Sequence, residues 1–270
     1  METVQSLLAW AGDTLKEAGI ESWKADARVL TQEALQLTKE DLILKNKEIT
    51  NIDKQKHLKG MIARRVLHEP VSRIIGTRDF WKFKFNISTE TLDPRADSET
   101  LVEACLQLIP VPLSILDLGT GSGCLLLSLL HEWPQAQGVG VDISVDAIAT
   151  ATQNATLFGL YDRCRFTVAD WKNFKPDHKF DLVISNPPYI ATSELDNLEP
   201  EVLRFDPRRA LDGGIDGLDG YRSIIKLLPD FLYQKGYVVF EVGYRQAGAV
   251  KDLLEQAGFS VLQIATDLAG

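Results

Sequence analysis

Apolar positions in the first seventy residues recur every three or four places. Val4, Leu7, Leu8, Ala11, Leu15 and Ala18 form one stripe over residues 2–18, and Gly19 supplies a stop. Ala27, Leu30, Ala34 and Leu37 continue the pattern over 24–37, and Leu58, Ile62 and Val66 repeat it more thinly over 53–67. The spacing predicts a small helical domain over residues 1–69. From Val71 the period drops to two: Trp81, Phe83, Phe85 and Ile87 alternate with Lys82, Lys84 and Asn86, as in a half-buried strand. Residues 70–92 are therefore expected to form a β-hairpin linker.

Beyond Asp93-Pro94, over residues 93–270, helical and strand patterns alternate. A helix is expected over 97–109 with Asp97 as N-cap, then a buried strand at 114–118 and a helix opening near Gly123. Strands are expected at 137–141, 164–168, 180–185, 236–243 and 259–266, with helices near 144–158, 218–228 and 245–257. This alternation implies an α/β fold with a doubly wound sheet.

Composition narrows the class. Hydrophobic residues make up 45% and charged residues 25% of 270, enough for one large core and a smaller one. The start, Met1-Glu2-Thr3-Val4-Gln5, lacks a basic leader, and no apolar run approaches the roughly 20 residues of a membrane span, so a cytoplasmic protein is expected. Cys105, Cys124 and Cys164 are widely spaced, fit neither a disulfide framework nor a zinc site, and read as buried thiols. His57, His68, His131 and His178 have no neighbouring ligands and read as surface residues; no metal is expected.

Charge is uneven along the chain. Basic and acidic residues balance at eleven each through Pro70, so the later residues carry the whole net charge of −9. An acidic catalytic region repels a long phosphate backbone, and stable nucleic-acid binding is not expected. Residues 51–90 are locally basic, with nine Lys/Arg against four acids, which reads as a solvated helix face or as a surface for an acidic or RNA-bearing partner.

The chemistry concentrates at predicted strand ends. Asn186-Pro187-Pro188-Tyr189 follows the apolar run 180–185, and proline, with no N–H and a fixed φ, leaves carbonyls beside the Asn186 carboxamide that can grip a planar NH2. Four residues alone read equally as a Pro-Pro exit from a strand. Upstream, Asp117-Leu118-Gly119-Thr120-Gly121-Ser122-Gly123 joins the first strand of this region to a helix, the setting of a nucleotide site. Its third glycine comes one place too early for a dinucleotide fingerprint. Asp142-Ile143 ends the next strand, where a carboxylate can accept both ribose hydroxyls or cap the helix from Ser144. Asp170-Trp171 ends another, where the acid can take an adenine amino group and the indole can cover the ring. Asp142 and Glu241 also admit reading as a metal pair or hydrolytic dyad, but no ligand spacing supports it.

The later region resembles a class I S-adenosylmethionine-dependent methyltransferase, which implies a Rossmann-like sheet of seven-stranded type. Asn186-Pro187-Pro188-Tyr189 matches the motif with which such enzymes methylate amide or exocyclic nitrogens. The helical N-terminus, Glu69-Pro70-Val71-Ser72-Arg73-Ile74-Ile75-Gly76, Leu92-Asp93-Pro94-Arg95-Ala96-Asp97-Ser98-Glu99 and Asp206-Pro207-Arg208-Arg209-Ala210-Leu211-Asp212-Gly213-Gly214 resemble the peptide chain release factor glutamine methyltransferase (HemK/PrmC) family. Ala96 and Ser98 stand where the family usually has Pro and Thr. The similarity runs to Asp267-Leu268-Ala269-Gly270, and family members continue into a further strand, so a sheet lacking its last strand is expected.

The resemblance implies transfer of methyl from S-adenosylmethionine to N5 of the glutamine in the Gly-Gly-Gln motif of class I release factors, by a monomer whose helical domain recognises the substrate. Asp117, Gly119, Thr120, Gly121, Ser122, Gly123, Asp142, Ile143, Asp170, Trp171 and Asn186 would hold the methyl donor. Asn186 and the Pro187 carbonyl would accept the two amide protons, with Pro188 and Tyr189 lining the substrate and Tyr189 packing on the flat carboxamide. A ribosomal-protein glutamine methyltransferase, an adenine-N6 or cytosine-N4 nucleic-acid methyltransferase and a catalytically silent binding module are the competing readings.

Overall fold

The structure, a computed structural model, describes residues 2–266; Asp267–Gly270, where the resemblance ends, lie outside the described residues. The chain forms two compact units. One takes in the chain up to Gly76 together with Glu199–Phe205, the other Thr77–Leu198 and the chain from Asp206 onward.

The first unit is helical: α1 (Val4–Glu17), α2 (Trp23–Leu35), the short α3 (Lys39–Leu44), α4 (Ile52–Val66) and α5 (Val71–Ile75). The stripes meet as expected, with Leu7, Ala11 and Leu15 of α1, Leu30 of α2 and Leu58 and Ile62 of α4 buried in one core. Burying each such leucine contributes about 1.5–3 kcal/mol. Thr3 and Ser6 close a reciprocal capping box on α1, and Gly19, at φ +76°, ends it in the left-handed region. Val71 begins a helical turn and not a strand, because Pro70 fixes the entry φ and Ile74 must reach the helical core. α3 and α5 escaped the periodicity because each is shorter than two turns.

The basic stretch is largely consumed within the chain. Lys59 pairs with Glu2 at 2.8 Å, Arg64 with Glu69 at 2.5 Å, and Lys82 with Glu132 at 2.7 Å. Arg65, only 4% exposed, holds Asp26 at 2.7 Å and Glu201 at 2.6 Å. Glu201 lies in the helix α9 (Pro200–Phe205), so this buried guanidinium fastens Glu199–Phe205 into the helical unit.

The second unit opens with the expected hairpin, β1 (Thr77–Phe80) antiparallel to β2 (Phe83–Asn86). Then follow α6 (Glu99–Leu108), β3 (Ser114–Leu118), α7 (Cys124–Glu132), β4 (Gln137–Asp142), α8 (Val145–Leu157), β5 (Cys164–Val168) and β6 (Phe180–Ser185). After α9, α10 (Asp219–Phe231), β7 (Leu232–Phe240) and α11 (Ala247–Gln256) complete the described elements. The strands form one parallel sheet in the order β5-β4-β3-β6-β7, with cores on both faces. Parallel strands covered on both sides explain the near-continuous apolar runs of β3 and β6.

Two further expectations fail. Phe259–Thr266 forms no strand: alternation supplies a face, but a strand exists only by its ladder, and among the described residues nothing pairs with this segment, where Leu262 is 69% exposed. Asp97 does not cap α6. It lies within a 3-10 turn, Ala96–Ser98, and α6 begins after Ser98 without a side-chain cap.

Candidate active site

At the carboxyl ends of β3, β4, β5 and β6 lies a cavity of about 390 Å³. A parallel sheet places such a crevice where crossovers diverge to opposite faces, here between β3 and β4 on one side and β6 on the other. Gly119, Thr120, Gly121, Ser122, Asp142, Ile143, Asp170, Trp171, Asn186 and Pro188 all line it. Of the expected site residues, Asp117, Gly123, Pro187 and Tyr189 do not.

The glycine turn follows from φ. Gly119, Gly121 and Gly123 take +79°, +55° and +80°, a conformation costly for any residue with a Cβ. Gly119 and Thr120 donate their N–H groups to the Val141 carbonyl, tying the turn to β4. Beneath it Asp117 is buried, its Oδ2 accepting the Thr120 hydroxyl at 2.7 Å and its Oδ1 without a partner. Burial, reinforced by the nearby Asp142 carboxylate, pushes its pKa up to about 7. Asp117 thus braces the turn through Thr120 from a buried position outside the cavity lining.

Asp142 does not itself cap α8; it ties the glycine turn to the start of that helix. Its Oδ2 accepts Gly121 N–H and its Oδ1 accepts Ser144 N–H, each at 2.9 Å, while Ser144 itself caps α8 through Ala147. A carboxylate has about four lone-pair sites, so capacity for hydroxyl donors remains. Ile143, 61% exposed, is an apolar surface beside it. Across the cavity Trp171 is held by donation from Nε1 to Ser223 at 3.1 Å, and a Cβ at Gly119 would stand 3.6 Å from its ring. Asp170 lines the cavity and accepts Lys172 N–H at 2.9 Å. Backbone amides in a turn, strand-end acids and two apolar covers fit an adenosyl group with a charged tail.

The proline motif is set by its neighbours. Ile190 donates to the Leu211 carbonyl, Gly213 donates to the Ile190 carbonyl, and Gln246 Nε2 donates to the Tyr189 carbonyl at 2.8 Å. A Cβ at Gly213 would come within 2.8 Å of the Pro188 carbonyl and Tyr189 Cα, so this position tolerates only glycine. Pro187 is buried against Gly220. Tyr189 turns toward Glu241 instead of the cavity, and burial, with the Glu241 charge, pushes its phenol up to about 12.

Several lining residues had no role in the reading of the sequence. Leu92, Pro94, Arg95 and Ser98 reach the cavity from one motif, Arg209, Ala210 and Asp212 from another. Arg95 pairs with Asp206 at 2.6 Å and Arg209 with Glu90, joining the two motifs. Both stretches carried the family resemblance, which was the available signal. Cys124, which also lines the cavity, and Cys164 are only partly buried, whereas Cys105 is fully so. Asp142 and Glu241 make no dyad, their strands being separated by β3 and β6. Among the described residues no helix is long and apolar enough to cross a membrane.

Fold and crevice together define a methyltransferase: residues 112–229 match the family described as a methyltransferase domain, and residues 6–76 match the PrmC N-terminal domain. The release factor glutamine methyltransferase of Rhodospirillum rubrum is 46% identical over 95% of this chain and 79% of its own length. Those of Geobacter sulfurreducens and Caulobacter vibrioides are each 38% identical, over 95% and 99% of this chain and 90% and 94% of theirs. The chain belongs to the release factor glutamine methyltransferase family.

Proposed function

We infer that this protein transfers a methyl group from S-adenosylmethionine to the side-chain amide nitrogen of a release factor glutamine, the one in its Gly-Gly-Gln motif. The observation that carries the reading is Asn186, placed by the end of β6 on the same cavity as the glycine turn, Asp142 and Trp171. When bound, S-adenosylmethionine supplies an electrophilic methyl on a positively charged sulfur. Asp142 and the turn 119–123 would hold its ribose and tail, and Ile143 and Trp171 would cover its adenine.

A glutamine amide is a poor nucleophile because its nitrogen lone pair is delocalised into the carbonyl. The Asn186 side-chain oxygen and the Pro187 carbonyl would accept its two N–H protons, which orients the nitrogen and stabilises the positive charge that builds on it. No strong base is then required, since an N-alkylated, protonated amide is strongly acidic and gives its proton to water. Pro188 would bound the substrate side chain. Tyr189, which does not line the cavity, would not stack on the amide. The helical unit is proposed to recognise the protein substrate.

Labelled S-adenosylmethionine offered separately with a release factor, a ribosomal protein and DNA tests this. Label is expected in the release factor, on the Gly-Gly-Gln glutamine; label in DNA or ribosomal protein alone overturns the assignment.

A further inference from the structure

Resting on the donor binding assigned above, we propose that residues 207–210 are a flap in the wall of the donor cavity, latched shut by the ion pair between Glu90 and Arg209. The latch sets how fast S-adenosylhomocysteine leaves.

Glu90 and Arg95 line the cavity from one stretch of chain, Arg209 and Ala210 from another more than a hundred residues later. Two ion pairs join the stretches, Arg95 to Asp206 at 2.6 Å and Glu90 to Arg209. Residues 207–210 are pinned at both ends. Before them stands Asp206, held by Arg95; after them Leu211 accepts the Ile190 N–H at 2.9 Å and Asp212 Oδ1 accepts the Thr192 hydroxyl at 2.7 Å. Between the pins Arg208–Ala210 makes a single 3-10 turn, and from its middle Arg209 reaches Glu90. Glu90 itself stands on a fixed post. Its N–H donates to Ser88 Oγ at 3.3 Å, and the next residue, Thr91, is fully buried with its hydroxyl donating to the Ser88 carbonyl at 3.0 Å.

The two ion pairs differ in what opening them costs. The Asp206 side chain is 3% exposed, so parting it from Arg95 strands a carboxylate away from water. Glu90 and Arg209 are 38% and 47% exposed, and water solvates both once they separate. An exposed pair favours its closed form by about fivefold at most. The wall therefore opens at Glu90–Arg209 while Arg95–Asp206 and the Leu211 bond remain as hinges.

A weak latch suits a site that must release its product after every turnover. Closed, the flap keeps Arg209 and Ala210 in the cavity wall; open, it leaves a gap on that side through which the bound molecule exits. Glu90 and Arg209 thus act on dissociation through the wall.

Glu90→Gln and Arg209→Gln each remove one charge of the latch. In stopped-flow displacement, the dissociation rate of S-adenosylhomocysteine is expected to rise about three- to fivefold in either variant, with the association rate within about twofold of the unaltered protein. The melting temperature should stay close to that of the unaltered protein. Exchanging the charges, Glu90→Arg together with Arg209→Glu, should bring the dissociation rate back to within about twofold, which loss of a direct contact with the ligand would not do. Raising salt from about 0.05 to about 0.5 M should speed dissociation from the unaltered protein and leave the single variants nearly unmoved, because the pair is exposed to screening. Single variants whose dissociation rate stays within about 1.5-fold, or whose weaker binding comes from slower association, overturn the proposal. So does an exchanged variant no closer to the unaltered protein than the single ones, or an equal salt response in all of them. If the unaltered protein does not bind S-adenosylhomocysteine, the assigned donor site fails first; normal binding with indifferent variants removes only the latch.

Discussion

The Asn154 carboxamide takes both backbone polar groups of Asn86, accepting its N–H at 2.9 Å and donating to its carbonyl at 3.0 Å. Its second N–H proton goes to the Ser122 carbonyl at 2.9 Å. One fully buried side chain of α8 thereby joins the hairpin strand β2 to the glycine turn.

Asn154→Ala should accordingly strip partners from three backbone groups at once. Unsatisfied buried groups cost about 1–3 kcal/mol each, so a loss of at least ~3 kcal/mol is expected in thermal unfolding. Affinity for S-adenosylhomocysteine, measured by calorimetry, should fall as well, because the turn loses its brace.

Asn186→Ala should separate holding the donor from using it. Removing a preorganised acceptor aimed at developing charge costs about a hundredfold or more in kcat. Calorimetric affinity for S-adenosylmethionine should change only a few-fold. Near-normal turnover would mean that Asn186 does not grip the amide.

Trp171→Ala should act in the opposite sense. The ring stands over the turn at Gly119 and is fixed by Ser223, so it is preorganised to cover a flat base. Base stacking on an aromatic side chain contributes about 1–3 kcal/mol, predicting roughly tenfold to hundredfold weaker S-adenosylhomocysteine binding. At saturating donor, kcat should be largely retained.

The buried Asp117 predicts a pH dependence of stability. Its folded pKa, about 7, lies above the ordinary carboxylate value of 3.8, so between these the folded protein holds a proton that the unfolded chain releases. Its contribution to stability is therefore full at acid pH and declines as pH rises through this window. Asp117→Asn, which can still accept from Thr120, should remove that contribution: melting curves compared with the unaltered protein should show a gain at pH 8 that shrinks toward pH 4.

Periodicity alone carried much of the architecture. The stripes of α1, α2 and α4 were legible because each helix buries one face in a shared core, and the runs of β3 and β6 because both of their faces are covered, so burial is written in every third, fourth or adjacent residue. Phe259–Thr266 had the same local character and formed nothing, because a strand requires hydrogen bonds from a partner that local sequence does not contain. Asp97 looked like a cap, but capping depends on where the preceding turn delivers the chain.

At the site, the sequence by itself determined the chemistry on offer: glycines that permit the turn, acids at strand ends, and an Asn-Pro-Pro-Tyr exit whose carbonyls cannot be paired by proline. Only the tertiary structure decided which of these face the cavity. Asp117 lies buried beneath the turn while Asp142 lines the cavity, and Tyr189, whose backbone is held by Gln246 and crowded by Gly213, does not line it. Those outcomes depend on residues far apart in the chain, Ser98, Asn154, Gly213 and Glu241 among them, whose proximity is a property of the sheet order and has no local signal.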